Sequence, residues 1–221
     1  MRADRVRVLI CDDHALFRAG IRAILQDQPW IDVVGEAPNG REAVEQAERL
    51  QPHVILMDME MPELNGLEAT RRLREAGVAA KVLILTMYAE DELVARCLEA
   101  GAAGYVLKDE PAEQLVYAIK AASTGGRYLS PIAAEGVILS SQAGATRPET
   151  RYDSLTGRER EVFKLLTDGC SGKEIAVSLR LSVKTVDVHK TNMMRKLGVH
   201  DRAELMKYAL QNRLIRLPIM G

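Results

Sequence analysis

The sequence predicts a doubly wound five-stranded parallel α/β sheet, in strand order 2-1-3-4-5, followed by a small all-α unit of four helices. Three observations carry this expectation. Apolar, β-branched runs alternate with amphipathic stretches through the first 122 residues. Gly, Pro, Ser and Thr then collect over residues 123–153. Helix-starting motifs recur from Thr156 onward.

The strands read in order as VRVLI (6–10), DVVGEA (32–37), HVILMD (53–58), KVLILT (81–86) and GYVLK (104–108). Several are apolar throughout, as expected of strands covered on both faces. The amphipathic stretches between and after them are 14–28, 40–50, 65–76, 90–100 and 112–122. Pro29 and Pro52 stop helices, Gly77 and Gly101 sit near helix ends, and Pro111 suits a first helical turn. Residues 125–152 read as a linker, with room for a short helix at 131–141. Beyond it, Thr156 with Glu159 and Ser171 with Glu174 form capping boxes. Ser182 can cap a third helix, and Asp201 with Glu204 fits the start of a fourth. The expected division is therefore 1–124, a connector at 125–152, and 153–221.

The chain has 221 residues, 47% hydrophobic and 28% charged, which excludes a wholly disordered chain. No apolar run approaches the roughly 18 to 20 residues that span a bilayer, so no membrane partner is expected. Asp4, Arg5 and Arg7 interrupt the start, so no secretory leader is expected either. Cys11, Cys97 and Cys170 are scattered without metal-ligand spacing, which suits a reduced cytoplasm. Residues 1–125 hold 14 Lys and Arg against 21 Asp and Glu, a balance of −7. Residues 126–221 hold 16 against 10, a balance of +6. An acidic half joined to a basic half suggests different partners, nucleic acid among them.

In a parallel sheet, ligands bind beyond the carboxyl ends of the strands. Asp12 and Asp13 follow the first strand, Asp58 ends the third, Thr86 ends the fourth and Lys108 follows the fifth. Three clustered carboxylates repel one another unless a cation sits among them, and Mg²⁺ with its oxygen ligands answers that need. A carboxylate beside such an ion can act as a nucleophile toward phosphorus. Taken singly, Asp13 could instead cap the following helix, Thr86 could be a buried strand residue, and Lys108 could be a solvated loop lysine. Asp58 is harder to explain as core, because it closes the apolar run HVILM and precedes MEMPELNG.

Residues 5–122 resemble the receiver domain of bacterial two-component response regulators. The matching text is LICDDHALFRAGI, VILMDMEMPELNGLEA, VLILTMYAE and GAAGYVLKDEP. The resemblance implies a flavodoxin-like fold in which Asp58 is the phosphoacceptor. It implies Mg²⁺ held by Asp13 directly, Asp12 partly through water, Asp58, and the Glu60 main-chain carbonyl. Thr86 and Lys108 would hold the phosphoryl oxygens. Tyr105 stands at the switch-aromatic position, where a ring turns inward as Thr86 moves; a half-buried strand tyrosine is the plainer reading.

Residues 155–214 resemble the LuxR-type helix-turn-helix domain of the NarL/FixJ subfamily, on the text LTGREREVFKLLTDGCSGKEIAVSLRLSVKTVDVHKTNMMRKLGVHDRAEL. Ile175, Leu179, Leu181, Val183 and Val186 offer packing positions between helix 172–180 and helix 183–196. The second of these helices carries Lys184, Lys190, Arg195 and Lys196, which suits a DNA major groove; a solvated face is the alternative. Lys184, Thr185 and Lys190 are candidates for phosphate contacts, with Arg195 further along. The resemblance places Asp187, Val188 and Thr191 at base-edge positions. Gly172 stands where Asn is common, which costs helix-start order, and Asp187 stands where some relatives carry a basic residue, which touches the target sequence and not the class.

The whole reads as a cytoplasmic, non-enzymatic response regulator and transcription factor. A sensor histidine kinase would phosphorylate Asp58, favouring a homodimer on double-stranded promoter DNA. One alternative is a phosphorylation-independent DNA-binding regulator. The other is a haloacid-dehalogenase-like phosphatase, which usually needs a second Asp where Glu60 stands.

Overall fold

Every strand of the first half is short and parallel, and the central ones are covered on both faces. The computed structural model describes residues 5–88, 91–135, 150–212 and 214–215. The chain divides into two compact units, Met1–Thr146 and Arg147–Gly221. In the first, the strands are β1 (Val6–Cys11), β2 (Ile31–Ala37), β3 (Val54–Asp58), β4 (Lys81–Thr86), β5 (Gly104–Leu107) and β6 (Tyr128–Leu129). The helices are α1 (Ala15–Gln26), α2 (Gly40–Leu50), α3 (Gly66–Glu75), α4 (Asp91–Ala100) and α5 (Ala112–Ser123). The sheet order is β2-β1-β3-β4-β5-β6, all parallel.

The period-2 alternation of a strand sorts its side chains between two cores. Leu9, Ile55, Met57, Ile84 and Tyr105 pack on one face with residues of α2, α3 and α4. Val8, Ile10, Leu56, Leu83, Leu85 and Val106 pack on the other with residues of α1 and α5. Because both faces are dry, β3 is buried along its whole length. An acid at its last position, Asp58, has nowhere to point but along the carboxyl edge.

The sheet has six strands and not the five expected. Tyr128 and Leu129 fall in the segment read as a linker, and two residues are too few for alternation to register. Gly104 admits them: a Cβ there would lie 2.5 Å from the Tyr128 carbonyl oxygen. The Ser130 amide donates to the Tyr105 carbonyl at 2.9 Å, and Ser130 and Ala133 are fully buried. Residues 131–135 are helical, as expected for the first part of 131–141; residues 136–141 lie outside the described residues. Pro111 sits one position before the predicted first turn, at the N-cap of α5.

The second unit contains α6 (Gly157–Thr167), α7 (Gly172–Leu179), α8 (Val183–Leu197) and α9 (Arg202–Gln211). Both predicted capping boxes are present, Thr156 with Glu159 and Ser171 with Glu174. Ser182 and Asp201 cap α8 and α9 by accepting from Thr185 N and Glu204 N. Phe163, Ile175, Leu179, Val186, Met193, Leu197 and Leu205 form its core. Leu181 is half-buried against it, but Val183, expected to pack, is 43% exposed. As the first residue of α8, it extends past the α7 contact.

Gly66 opens α3 so close to β3 that a Cβ would lie 2.1 Å from the Asp58 carbonyl oxygen. Gly66→Ala is expected to cost about 1–3 kcal/mol through overpacking. A lowered urea midpoint with unchanged slope would show it; an unchanged midpoint would mean the α3 start yields freely.

Candidate functional site

The sheet gathers the predicted acidic residues at its carboxyl edge. Lys108 Nζ lies 2.6 Å from Asp12 Oδ2 and 2.9 Å from Asp58 Oδ1, joining residues 96 and 50 positions apart in the chain. Asp12 is fully buried and Asp58 is 3% exposed, while Asp13 is open to solvent. The His14 amide donates to Asp12 Oδ1 at 2.8 Å, and the Glu60 amide makes a longer contact to Asp58 Oδ1 at 3.4 Å. Thr86 is buried at the end of β4, next to β3, and its Oγ1 accepts from the Tyr88 amide at 3.3 Å. Asp12, Asp13, Asp58 and Lys108 are thus brought together, and Thr86 and Glu60 flank them on the same edge.

Burial pushes the Asp58 carboxyl up to about 6, the Asp12 charge pushes the same way, and the Lys108 ammonium opposes both. Burial works against the charge on Lys108 too, but its hydrogen bond to Asp12 and the field of Asp58 outweigh it and raise its pKa. A site in which a lysine bridge leaves one carboxyl so reluctant to ionise is short of positive charge. Three of its donors are hard carboxylate oxygens, from Asp12, Asp13 and Asp58, and a ring nitrogen of His14 lies with them, all within 4.8 Å of one another. That donor set fits a divalent cation of the Mg²⁺ type.

Three neighbours were missed by sequence reasoning. His14 Nδ1 lies 2.8 Å from Asp13 Oδ1, with 73% of its side chain exposed. The Phe17 ring lies under the Lys108 ammonium, Nζ being 4.5 Å from the ring centroid. Arg18 Nη1 donates to the Asp12 carbonyl at 2.6 Å while its Nε donates to Glu36 at 3.2 Å. The Arg22 hydrogen bond, helped by Arg18, holds the Glu36 carboxyl below the usual range. Only the run DDHALFR, placing all three within the first turn after the aspartates, signals them in the sequence.

Tyr105 is fully buried and not half-buried, with its hydroxyl donating to the Tyr88 carbonyl at 2.8 Å. The main chain of residue 88 therefore touches Thr86 through its amide and Tyr105 through its carbonyl.

In the second unit, α8 presents Lys184, Asp187, Val188, Thr191 and Arg195 to solvent. At 3.6 residues per turn these positions share one face. Val186, Met193 and Leu197 occupy the opposite face and are buried. Lys190 is exposed beside that stripe. Thr185 is half-buried, its hydroxyl 2.7 Å from Ser182 Oγ at the cap. Lys196 is turned into the bundle, where its Nζ meets Glu159 at 2.6 Å. On α9, Leu205 and Ala209 are core, while Leu210 is 36% exposed.

A carboxylate crevice on a doubly wound sheet, joined to a helical bundle that presents one polar helix face, defines a two-part regulator. The family described as response regulator receiver domain matches residues 8–120, and that described as bacterial regulatory proteins, luxR family, matches residues 153–209. The chain is 40% identical over 210 residues to the transcriptional regulatory protein LiaR of Bacillus subtilis (strain 168), covering 95% of this chain and 99% of that one. It is 39% identical over 209 residues to the response regulator UvrY of Escherichia coli (strain K12), covering 95% of each. A solved complex of the two-component response regulator RcsB with DNA superposes with a TM-score of 0.58 at 26% identity, over 93% of this chain and 98% of that one. The chain belongs to the LuxR-type response regulators, transcription regulators that join a receiver domain to a DNA-binding domain.

Asp58 holds its proton more tightly folded, at about 6, than unfolded, at about 3.9. Between those values the folded state binds more protons, so stability falls as pH rises, and the cost is complete above about pH 6. Asp58→Asn removes it. Without divalent cations, the melting temperature of Asp58→Asn should exceed the parent's by a margin that grows from pH 4.5 to pH 7. The gain should reach on the order of 1–3 kcal/mol at pH 7. A margin independent of pH would locate the destabilisation elsewhere.

Proposed function

We propose that a sensor histidine kinase transfers a phosphoryl group to Asp58 with Mg²⁺ in the acidic crevice, and that this favours a homodimer on double-stranded promoter DNA. The observation that carries the reading is Asp58 itself, a shielded carboxylate at the end of a buried strand, held by a lysine and beside two further acids. Oδ1 takes the Lys108 and Glu60 contacts, which leaves Oδ2 to attack. The new bond is Oδ2–P, the bond broken is P–N of the donor phosphohistidine, and the leaving imidazole is protonated from its surroundings.

Asp12, Asp13, Asp58 and the Glu60 main-chain carbonyl would hold the ion. When bound, Mg²⁺ supplies charge neutralisation for the transferring phosphoryl group. Lys108 turns from the Asp58 carboxylate to a phosphoryl oxygen. Thr86 exchanges its Tyr88 amide contact for another such oxygen, and residue 88 passes the movement to the Tyr105 hydroxyl. The buried ring is one of the two states of that switch.

Residues 1–124 would serve as the receiver, 125–152 as a connector whose first part lies on the sheet, and 153–221 as the DNA-binding domain. The α8 face would enter the major groove, with Lys184, Thr185, Lys190 and Arg195 toward phosphates and Asp187, Val188 and Thr191 toward base edges. The likeness to RcsB, a two-component response regulator solved in complex with DNA, supports a DNA-binding role. Among the described residues no helix is long and apolar enough to cross a membrane. A role between kinase and promoter would be carried out in the cytoplasm.

Three experiments test the reading. Asp58→Ala should abolish labelling by acetyl phosphate, and undiminished labelling would remove Asp58 as acceptor. Purified protein should enrich a two-fold-symmetric genomic site at fixed salt only with beryllofluoride and Mg²⁺; equal enrichment without them would leave DNA binding ungated. On that site, Lys184→Ala should lower the slope of log K against log salt by about one counterion. An unchanged slope would take Lys184 off the phosphates.

A further inference from the structure

The ammonium of Lys108 has three N–H donors, and two directions are taken by Asp12 Oδ2 and Asp58 Oδ1. The Phe17 ring takes a third side, with its centroid 4.5 Å from Nζ. The Lys108 side chain is only 10% exposed, so the ring shields the cation from water at short range. The ring is itself fixed. Phe17 packs partly buried against the α1–α5 core. Its neighbour Arg18 ties this turn of α1 to the Asp12 carbonyl and to Glu36.

We infer that Phe17 is a positioning residue for phosphorylation: its ring face holds the Lys108 ammonium beside Asp58 by a cation–π contact. The inference rests on Asp58 and Lys108 acting as proposed above. An aromatic face suits the task because it attracts the cation without offering it a proton acceptor. A carboxylate or hydroxyl in its place would compete with the phosphoryl oxygens for the same N–H groups. The ring instead keeps the ammonium inward and partly desolvated while leaving its hydrogen bonds for Asp12 and the incoming group. When Asp58 is modified, the lysine must change partners, and the ring limits that change to a rotation of Nζ.

The test separates the electronics of the ring from its bulk. Phenylalanine at position 17 is replaced in the full-length chain by its 4-fluoro, 3,5-difluoro and 3,4,5-trifluoro analogues. These weaken the negative ring face stepwise with little change in size. The rate of labelling by acetyl phosphate with Mg²⁺, and the apparent affinity for beryllofluoride, should fall in step across the series by about threefold to tenfold in total. Melting temperatures should stay level. Phe17→Leu should match the trifluoro analogue, and Phe17→Trp should restore the rate to at least half that of the parent. If Phe17→Leu slows labelling while the fluorinated series stays flat, the ring is packing and the inference fails. If the parent does not label, or if Asp58→Ala labels as well as the parent, the acceptor assignment fails first and takes this inference with it.

Discussion

Everything at the carboxyl edge of the sheet depends on the charge balance around Lys108. One ammonium sits between two buried carboxylates, Asp12 just after β1 and Asp58 at the end of β3, which would otherwise repel each other across a dry gap. A single positive charge leaves a shortfall against both, and the Asp58 carboxyl is raised first by burial and then by the Asp12 charge. That shortfall makes the site receptive to a divalent cation. Burial creates the imbalance, and burial is a property of the parallel sheet with helices on both faces.

The route outward from the site is short. Thr86, the main chain of residue 88, and Tyr105 are linked by two hydrogen bonds. Tyr105 lies on β5, which also carries the hydrogen bond from Ser130. Thr86 thus has a covalent and hydrogen-bonded path to β5 that runs through the Tyr105 hydroxyl.

The alternation of apolar strands with amphipathic helices made the doubly wound sheet legible, and strand-end positions made Asp12, Asp13, Asp58, Thr86 and Lys108 legible as one group. The capping boxes at Thr156 and Ser171 were equally readable, because capping is local in sequence. What escaped depended on contacts between distant residues. Tyr128–Leu129 joins the sheet only because Gly104, far back in the chain, lacks a side chain. Phe17 reads as an ordinary apolar helix position until the fold sets Lys108 above it. Val183 had the right type for a helix–helix contact, but its place at the start of α8 leaves it outside one.

The sixth strand bears on how the receiver can be separated from the rest of the chain. A fragment ended at residue 124 would stop before Tyr128, Leu129 and Ser130. It would strip β5 of its outer partner and leave an open strand edge beside Gly104, where a second molecule could pair. Self-association of such a fragment would then reflect the missing strand and not the signalling state. A fragment carried through residue 135 keeps that edge covered by the chain's own backbone.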